Sequence, residues 1–318
     1  MVVFMISFNA IMSGGWEDFK ANPVLFIPGL LSAILAIVFS IVLIWAMFGD
    51  LESAIMLTGS SGSMDINMFE SINFDAFDYA NFALIYFVSI IIMLVLSSFI
   101  SAGLTGMAKE VTLTGTTKFG DFFSNGFKYF FRMLLYTIAF IIILCIPAGF
   151  LTAIYMILVF GIAATGSGGA LVFALLLGLL LLILVVVITV LFVLMFYFTA
   201  YAIVVDEMGV IDSFRKSYNI FKENKADVFI FVLLILVITF AVSFVVGIIT
   251  SILGLIPFGF IGAIAGILIN IIITAGLTAL TTVWGVRMYY ALTDETVVEE
   301  IVYEEYSEYS EIEDGILE

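Results

Sequence analysis

The chain has 318 residues, of which 64% are hydrophobic and 11% charged, and its mean hydropathy is +1.29. Soluble domains run at roughly 45–50% apolar and about 25% charged residues, so this composition excludes a water-soluble fold and calls for an integral membrane protein. Ten Lys and Arg against 26 Asp and Glu give a formal net charge of −16. There is no His, which removes His-based zinc sites, catalytic triads and Cys–His dyads.

The N-terminal segment, residues 1–23, is apolar at first but lacks the basic region of a secretory signal, so it is read as part of the mature protein. It ends in Trp16-x-x-Phe19-Lys20-x-Asn22, aromatic rings at helical spacing with a lysine to one side, which predicts a helix lying in the headgroup layer. A transmembrane domain follows over 24–293. A helix needs about 20 apolar residues to cross the hydrocarbon core, and six stretches meet that length, at about 24–48, 79–106, 130–161, 170–205, 227–253 and 257–291. None alternates with the period of two that a membrane barrel requires. The expected fold class is therefore an all-α integral membrane bundle of six transmembrane helices.

The connection 49–78 carries six carboxylates but fails the spacing of a calcium loop, because Asp65 and Asn67 are followed by Phe69 and Glu70. It reads as a solvated acidic loop. Before the third span, Lys118-Phe119-Gly-Asp-Phe122-Phe123 with Lys128 and Arg132 suggests a second interfacial segment. The third span holds the one cysteine, Cys145, expected as a buried small hydrophobe, and Pro147, expected to kink the helix. Gly209 should break the long fourth helix and Asp212 cap the next. On that next helix, Ser213 and Ser217 share a face while Arg215 and Lys216 lie off it. Tyr218-x-x-Phe221-Lys222-x-Asn224 then repeats the spacing of the N-terminal segment, so three units of interfacial helix plus helical hairpin are expected. In the sixth span, Gly262, Gly266, Asn270 and Thr274 recur on one face. That pattern suits close helix packing, with Ser98, Ala102 and Gly106 of the second span as mate, or else the lining of a substrate path.

All ten basic residues fall beside two connections and the two ends on one side of a six-span layout, so both termini are expected inside a cell membrane. Lys20, Lys118, Lys128, Arg132, Arg215, Lys216 and Lys222 are the candidate contacts for anionic lipid headgroups. Asp206, Glu207 and Arg287, with Arg132, are candidate ion pairs at the inner face. From Asp294 to Glu318 the chain carries 11 acidic residues and no basic one. This predicts a disordered tail that repels the membrane or docks a protein partner.

The run from Asp206-Glu207 through Gly209, Arg215, Lys216 and Ser217 to Asn224 resembles a group of six-span proteins of unknown function, related to the membrane domain of some glycerophosphodiester phosphodiesterases. It departs from that pattern in lacking a Pro near Ala202 and a Trp-Arg pair after the turn, where Asp227-Val228 stands. The resemblance implies six helices and no chemistry, since in such proteins catalysis resides in a separate soluble domain. No cofactor, metal or nucleic-acid partner is expected, and the oligomeric state is left open. The expected function is a non-enzymatic organiser or accessory protein that binds lipid headgroups or partner proteins at the inner leaflet. The alternative is a permease-like carrier of a small or lipidic solute.

Overall fold

A computed structural model describes residues 8–48, 79–163, 168–254 and 259–293. The expected acidic loop at 49–78 and the tail at 294–318 lie outside them. The described chain is almost entirely helical, with no strand, and six helices are long and apolar enough to span a membrane. In chain order the helices are α1 (Phe8–Ala21), α2 (Phe26–Phe48), α3 (Tyr79–Thr114), α4 (Phe119–Ala163), α5 (Gly168–Phe196), α6 (Thr199–Val205), α7 (Val210–Glu223), α8 (Lys225–Gly254) and α9 (Gly259–Thr293). A short 3-10 turn, Pro23–Leu25, joins α1 to α2. The spans neighbour one another in the order α4, α3, α2, α9, α8, while α5 lies beside α4 and the short α6 packs among α3, α4 and α9.

Large, fully buried side chains gather at one end of this bundle. Met107, Phe122, Tyr129, Phe198, Phe231 and Tyr289 are all enclosed there, and Ala202, Ile203 and Val204 of α6 form its plug. By contrast, Leu175, Leu176, Leu179 and Leu180 of α5 are exposed, as a lipid-facing surface should be. The physical reason is that lipid tails are as apolar as Leu, so enclosing apolar side chains within the hydrocarbon gains little. The gain returns where water begins. The same end holds Lys109, Lys128, Arg132 and Arg287, through the contacts described below.

Three expectations are corrected here. The segment before the third span is not a separate helix: residues from Phe119 onward are the first turns of α4, which runs to Ala163 with Pro147 inside it. Asp121 in its first turn accepts the Lys118 N–H at 2.7 Å, so the helix starts there rather than at 130. Second, Ser98, Ala102 and Gly106 meet α4, not α9. Ser98 donates to Thr137 Oγ1 at 3.3 Å, Ala102 packs with Tyr129 and Met133, and a Cβ on Gly106 would overlap Asn125. Third, Cys145 faces outward, on the apolar exterior of α4.

The two outer copies of the repeat do match. Asn22 and Asn224 each follow the last residue of a helix with φ −123°, and each side-chain amide donates to the carbonyl four residues back, Asp18 O at 3.0 Å and Ile220 O at 3.3 Å. Ile11 and Gly15 of α1 are buried, as are Ser213 and Ser217 at the corresponding positions of α7. Trp16 and Tyr218 both point outward, at 46% and 41% exposure, with Lys20 and Lys222 exposed beside them.

Candidate functional site

The polar constellation of the protein is built around the turn from α6 to α7. Four elements converge on it. The fourth span is interrupted before it arrives: α5 stops at Phe196 and α6 starts at Thr199. Ser217 of α7 bridges the break, since its hydroxyl donates to Met195 O at 2.9 Å and accepts the Phe198 N–H at 3.2 Å. α6 then ends at Val205, and Lys109 of α3 donates to the carbonyls of Val204 at 3.3 Å and Val205 at 3.0 Å. A cation at a helix C-terminus meets both the unpaired carbonyls and the negative end of the helix dipole.

Glu207 makes the turn with φ +58°, and it is the one non-glycine residue with positive φ among the described residues. An L side chain is held in that region only when its surroundings fix it. Here they do. Glu207 Oε1 accepts from Lys128 Nζ at 2.7 Å and from Tyr129 Oη at 2.9 Å, with Lys109 Nζ at 3.9 Å, while Arg132 Nη1 donates to the Glu207 carbonyl at 2.6 Å. Asp206 alongside accepts from Tyr289 Oη of α9 at 2.5 Å. The Asp206–Glu207 turn thus ties α3, α4, α6 and α9 together.

The hydrogen bond from Lys128, followed by that from Tyr129, holds the Glu207 carboxyl below its ordinary value of 4.5. A carboxylate whose folded value is depressed contributes stability above its unfolded value and loses it as the pH falls through the folded one. Glu207→Gln should therefore lower the melting temperature at neutral pH and flatten its fall between pH 5 and more acid conditions. Thermal melting of both proteins in detergent across that range tests this, and parallel curves would contradict it.

A second node fixes α1. Arg287 Nε donates to Asp18 Oδ2 at 2.7 Å, with both side chains nearly enclosed, at 14% and 13% exposure. Trp284 Nε1 donates to Met12 O at 3.0 Å, and its ring lies so close to Gly15 that a Cβ there would overlap it. Asn22 completes the seat: its amide donates to Gly115 O at 2.9 Å and its Oδ1 accepts the Thr117 N–H at 3.1 Å. Gly115, at φ +72°, ends α3 in the left-handed region where glycine is favoured.

The expected site residues thus divide. Arg287 pairs with Asp18 rather than with Asp206 or Glu207, which are engaged by Tyr289 and by Lys128 and Tyr129. Arg132 meets Glu207 through the backbone carbonyl, and Asp206 takes a tyrosine instead of a cation. Lys128 and Arg132, expected as headgroup contacts, are engaged by Glu207. Lys20, Lys118, Arg215 and Lys222 are exposed and Lys216 is half-buried. Of these, Arg215 faces Asp212 at 3.6 Å, and Lys20 lies 5.4 Å from the centre of the Trp16 ring. Gly209, rather than Asp212, stands at the N-cap of α7. In α9, Gly262 and Gly266 are buried, whereas Asn270 and Thr274 are exposed and hydrogen-bonded to each other at 3.2 Å. The partners missed from sequence, Asp18, Tyr129 and Tyr289, had no signal beyond polarity near a span end.

Among the described residues no group of three or more Cys, Asp and Glu could hold a metal ion. A family model described as a domain of unknown function, DUF7847, matches residues 6–292. The chain belongs to this family. No curated protein and no solved structure matches it. The DUF7847 match takes in every described helix, so the turn, the α1 seat and the α8–α9 pair are all parts of the family domain.

Proposed function

We propose that this DUF7847 protein is a non-enzymatic membrane organiser that gathers anionic lipid headgroups on its basic end. The observation that carries the reading is the division of the cations. Lys109, Lys128, Arg132 and Arg287 are taken up by internal partners, whereas Lys118, Lys216 and Lys222 make no ion pair among the described residues and stand near outward-facing rings. Phe119 and Phe123 accompany Lys118, Tyr218 accompanies Lys222, and Trp16 accompanies Lys20. Rings and lysines at one level describe amphipathic segments seated at a membrane surface, with the basic end on the cytoplasmic side of the cell membrane. Kinship with the membrane domain of glycerophosphodiester phosphodiesterases belongs to the same proposal, as the accessory half of such an assembly.

The test is native mass spectrometry of the full chain from nanodiscs containing equal phosphatidylglycerol and phosphatidylcholine. Retention of the anionic lipid is expected, weakened about fivefold for each of Lys20, Lys118, Lys216 and Lys222 replaced by Ala, in line with the worth of a lysine near a charged surface. Equal retention of both lipids, or no change in the fourfold variant, would overturn the proposal. Loss of Lys128 should act mainly through melting temperature instead, because its partner is Glu207.

A further inference from the structure

Away from the basic end, a cleft of about 140 Å³ lies between α8 and α9. Its polar lining is Ser243 and Thr250 from α8 and Asn270 and Thr274 from α9, set among apolar side chains such as Val246 and Leu277, and no charged residue takes part. At about 1.5 Å per helical residue, Asn270 is about 25 Å from Arg287 along α9 and about 16 Å from Gly259. That depth falls inside a hydrocarbon layer roughly 30 Å thick.

Two of the four polar groups are already engaged. Thr250 donates to Val246 O at 2.9 Å, and Thr274 donates to Asn270 Oδ1 at 3.2 Å. Both N–H bonds of the Asn270 amide, and the Ser243 hydroxyl, have no partner among the described residues, and both side chains are exposed. Within hydrocarbon an unmatched donor is costly, and acyl chains offer no acceptor. Polar side chains at such depth mark the place where something binds. The chemistry of the occupant follows from the lining. Donors without acceptors require an oxygen acceptor, and the absence of any charge requires a neutral group. The apolar walls and the depth require a hydrocarbon body.

We infer that the α8–α9 cleft binds a neutral, largely hydrocarbon molecule through a carbonyl or hydroxyl oxygen that accepts from Asn270 and meets Ser243. This stands independently of the headgroup reading, because the cleft shares no residue with the basic end.

The experiment uses the full chain in phosphatidylcholine nanodiscs and two photoactivatable diazirine probes of equal length, a long-chain ketone and the matching alkane. The ketone probe should label peptides within 242–250 and 270–277, with 2-undecanone competing and undecane not. Asn270→Leu, which keeps the volume and removes both donors, should raise the competing concentration about fivefold, the worth of a neutral hydrogen bond. Ser243→Ala should act in the same direction and serves where the first variant fails to fold. Equal labelling by the alkane, or competition unchanged in both variants, would overturn the inference. A wild-type dimer that Asn270→Leu converts to monomer would also overturn it, by assigning the amide to a contact between two copies.

Discussion

Replacing Asp18 with Ala should cost about 3 kcal/mol and free α1 from the bundle, an effect near the lower end of what breaking a buried ion pair costs. The size follows from what is left behind. Arg287 is 14% exposed and lies against Gly14, where a Cβ would overlap its guanidinium, so the cation can neither rehydrate nor turn to another carboxylate. Asp206 is already engaged by Tyr289, and Glu207 by Lys128 and Tyr129. A paired replacement, Asp18→Leu with Arg287→Met, should recover most of the loss, because an apolar pair of similar volume avoids the desolvation of both charges. Melting temperature in detergent and protease cleavage within α1 report the two parts of the effect. A single-variant loss under about 1 kcal/mol would show that the pair is screened as surface pairs are.

The sequence disclosed the fold readily because the bilayer makes a single demand, long apolar helices, and states it in composition. Six helices long and apolar enough to span a membrane are present, as the composition demands, and the Asn22 and Asn224 spacing marked a repeat that the structure reproduces down to the i−4 amide bond. The middle copy behaves differently. Asn125 stands six residues after Phe119, as Asn22 does after Trp16, yet it lies against Gly106 of α3 and α4 continues through it. The site was half legible. That Asp206 and Glu207 sit in a turn at a span end could be read from their neighbours, but their partners depend on which helices adjoin, and hydropathy carries no information on that. The row in the sixth span divides between roles. Its row of Gly, Asn and Thr resembles an interface, yet Thr281 and Thr282 donate to carbonyls of their own helix, at 2.8 Å each, and need no neighbour. The α9 residues enclosed against other helices include the apolar Ala275, Ala279, Val283 and Val286, all fully buried, and also Gly285 of the row itself, where a Cβ would overlap Tyr201.

One of those contacts leads to a second large effect. Gly29→Val in α2 should cost about 2 kcal/mol, within the usual range for overpacking a close contact, whereas Gly276→Ala one residue beyond the contact should be nearly neutral. A Cβ on Gly29 would overlap the carbonyl oxygen of Ala275, with the Ala275 Cα only 3.1 Å away. These are backbone atoms of a helix, so no rotamer change can clear them and α2 must move off α9. A Cβ on Gly276 would instead rest 3.7 Å from the Phe26 ring, an ordinary van der Waals distance. Within the bilayer such small-residue approaches carry much of the attraction between helices, because hydrophobic burial contributes little there. Displacing α2 should also reach the basic end, since α9 carries Trp284, Arg287 and Tyr289, each bonded to another element. The Gly29→Val protein should therefore show faster protease cleavage in α1 together with its lower melting temperature. A loss of stability with α1 still protected would mean that α9 bends at Gly276 and spares its far end.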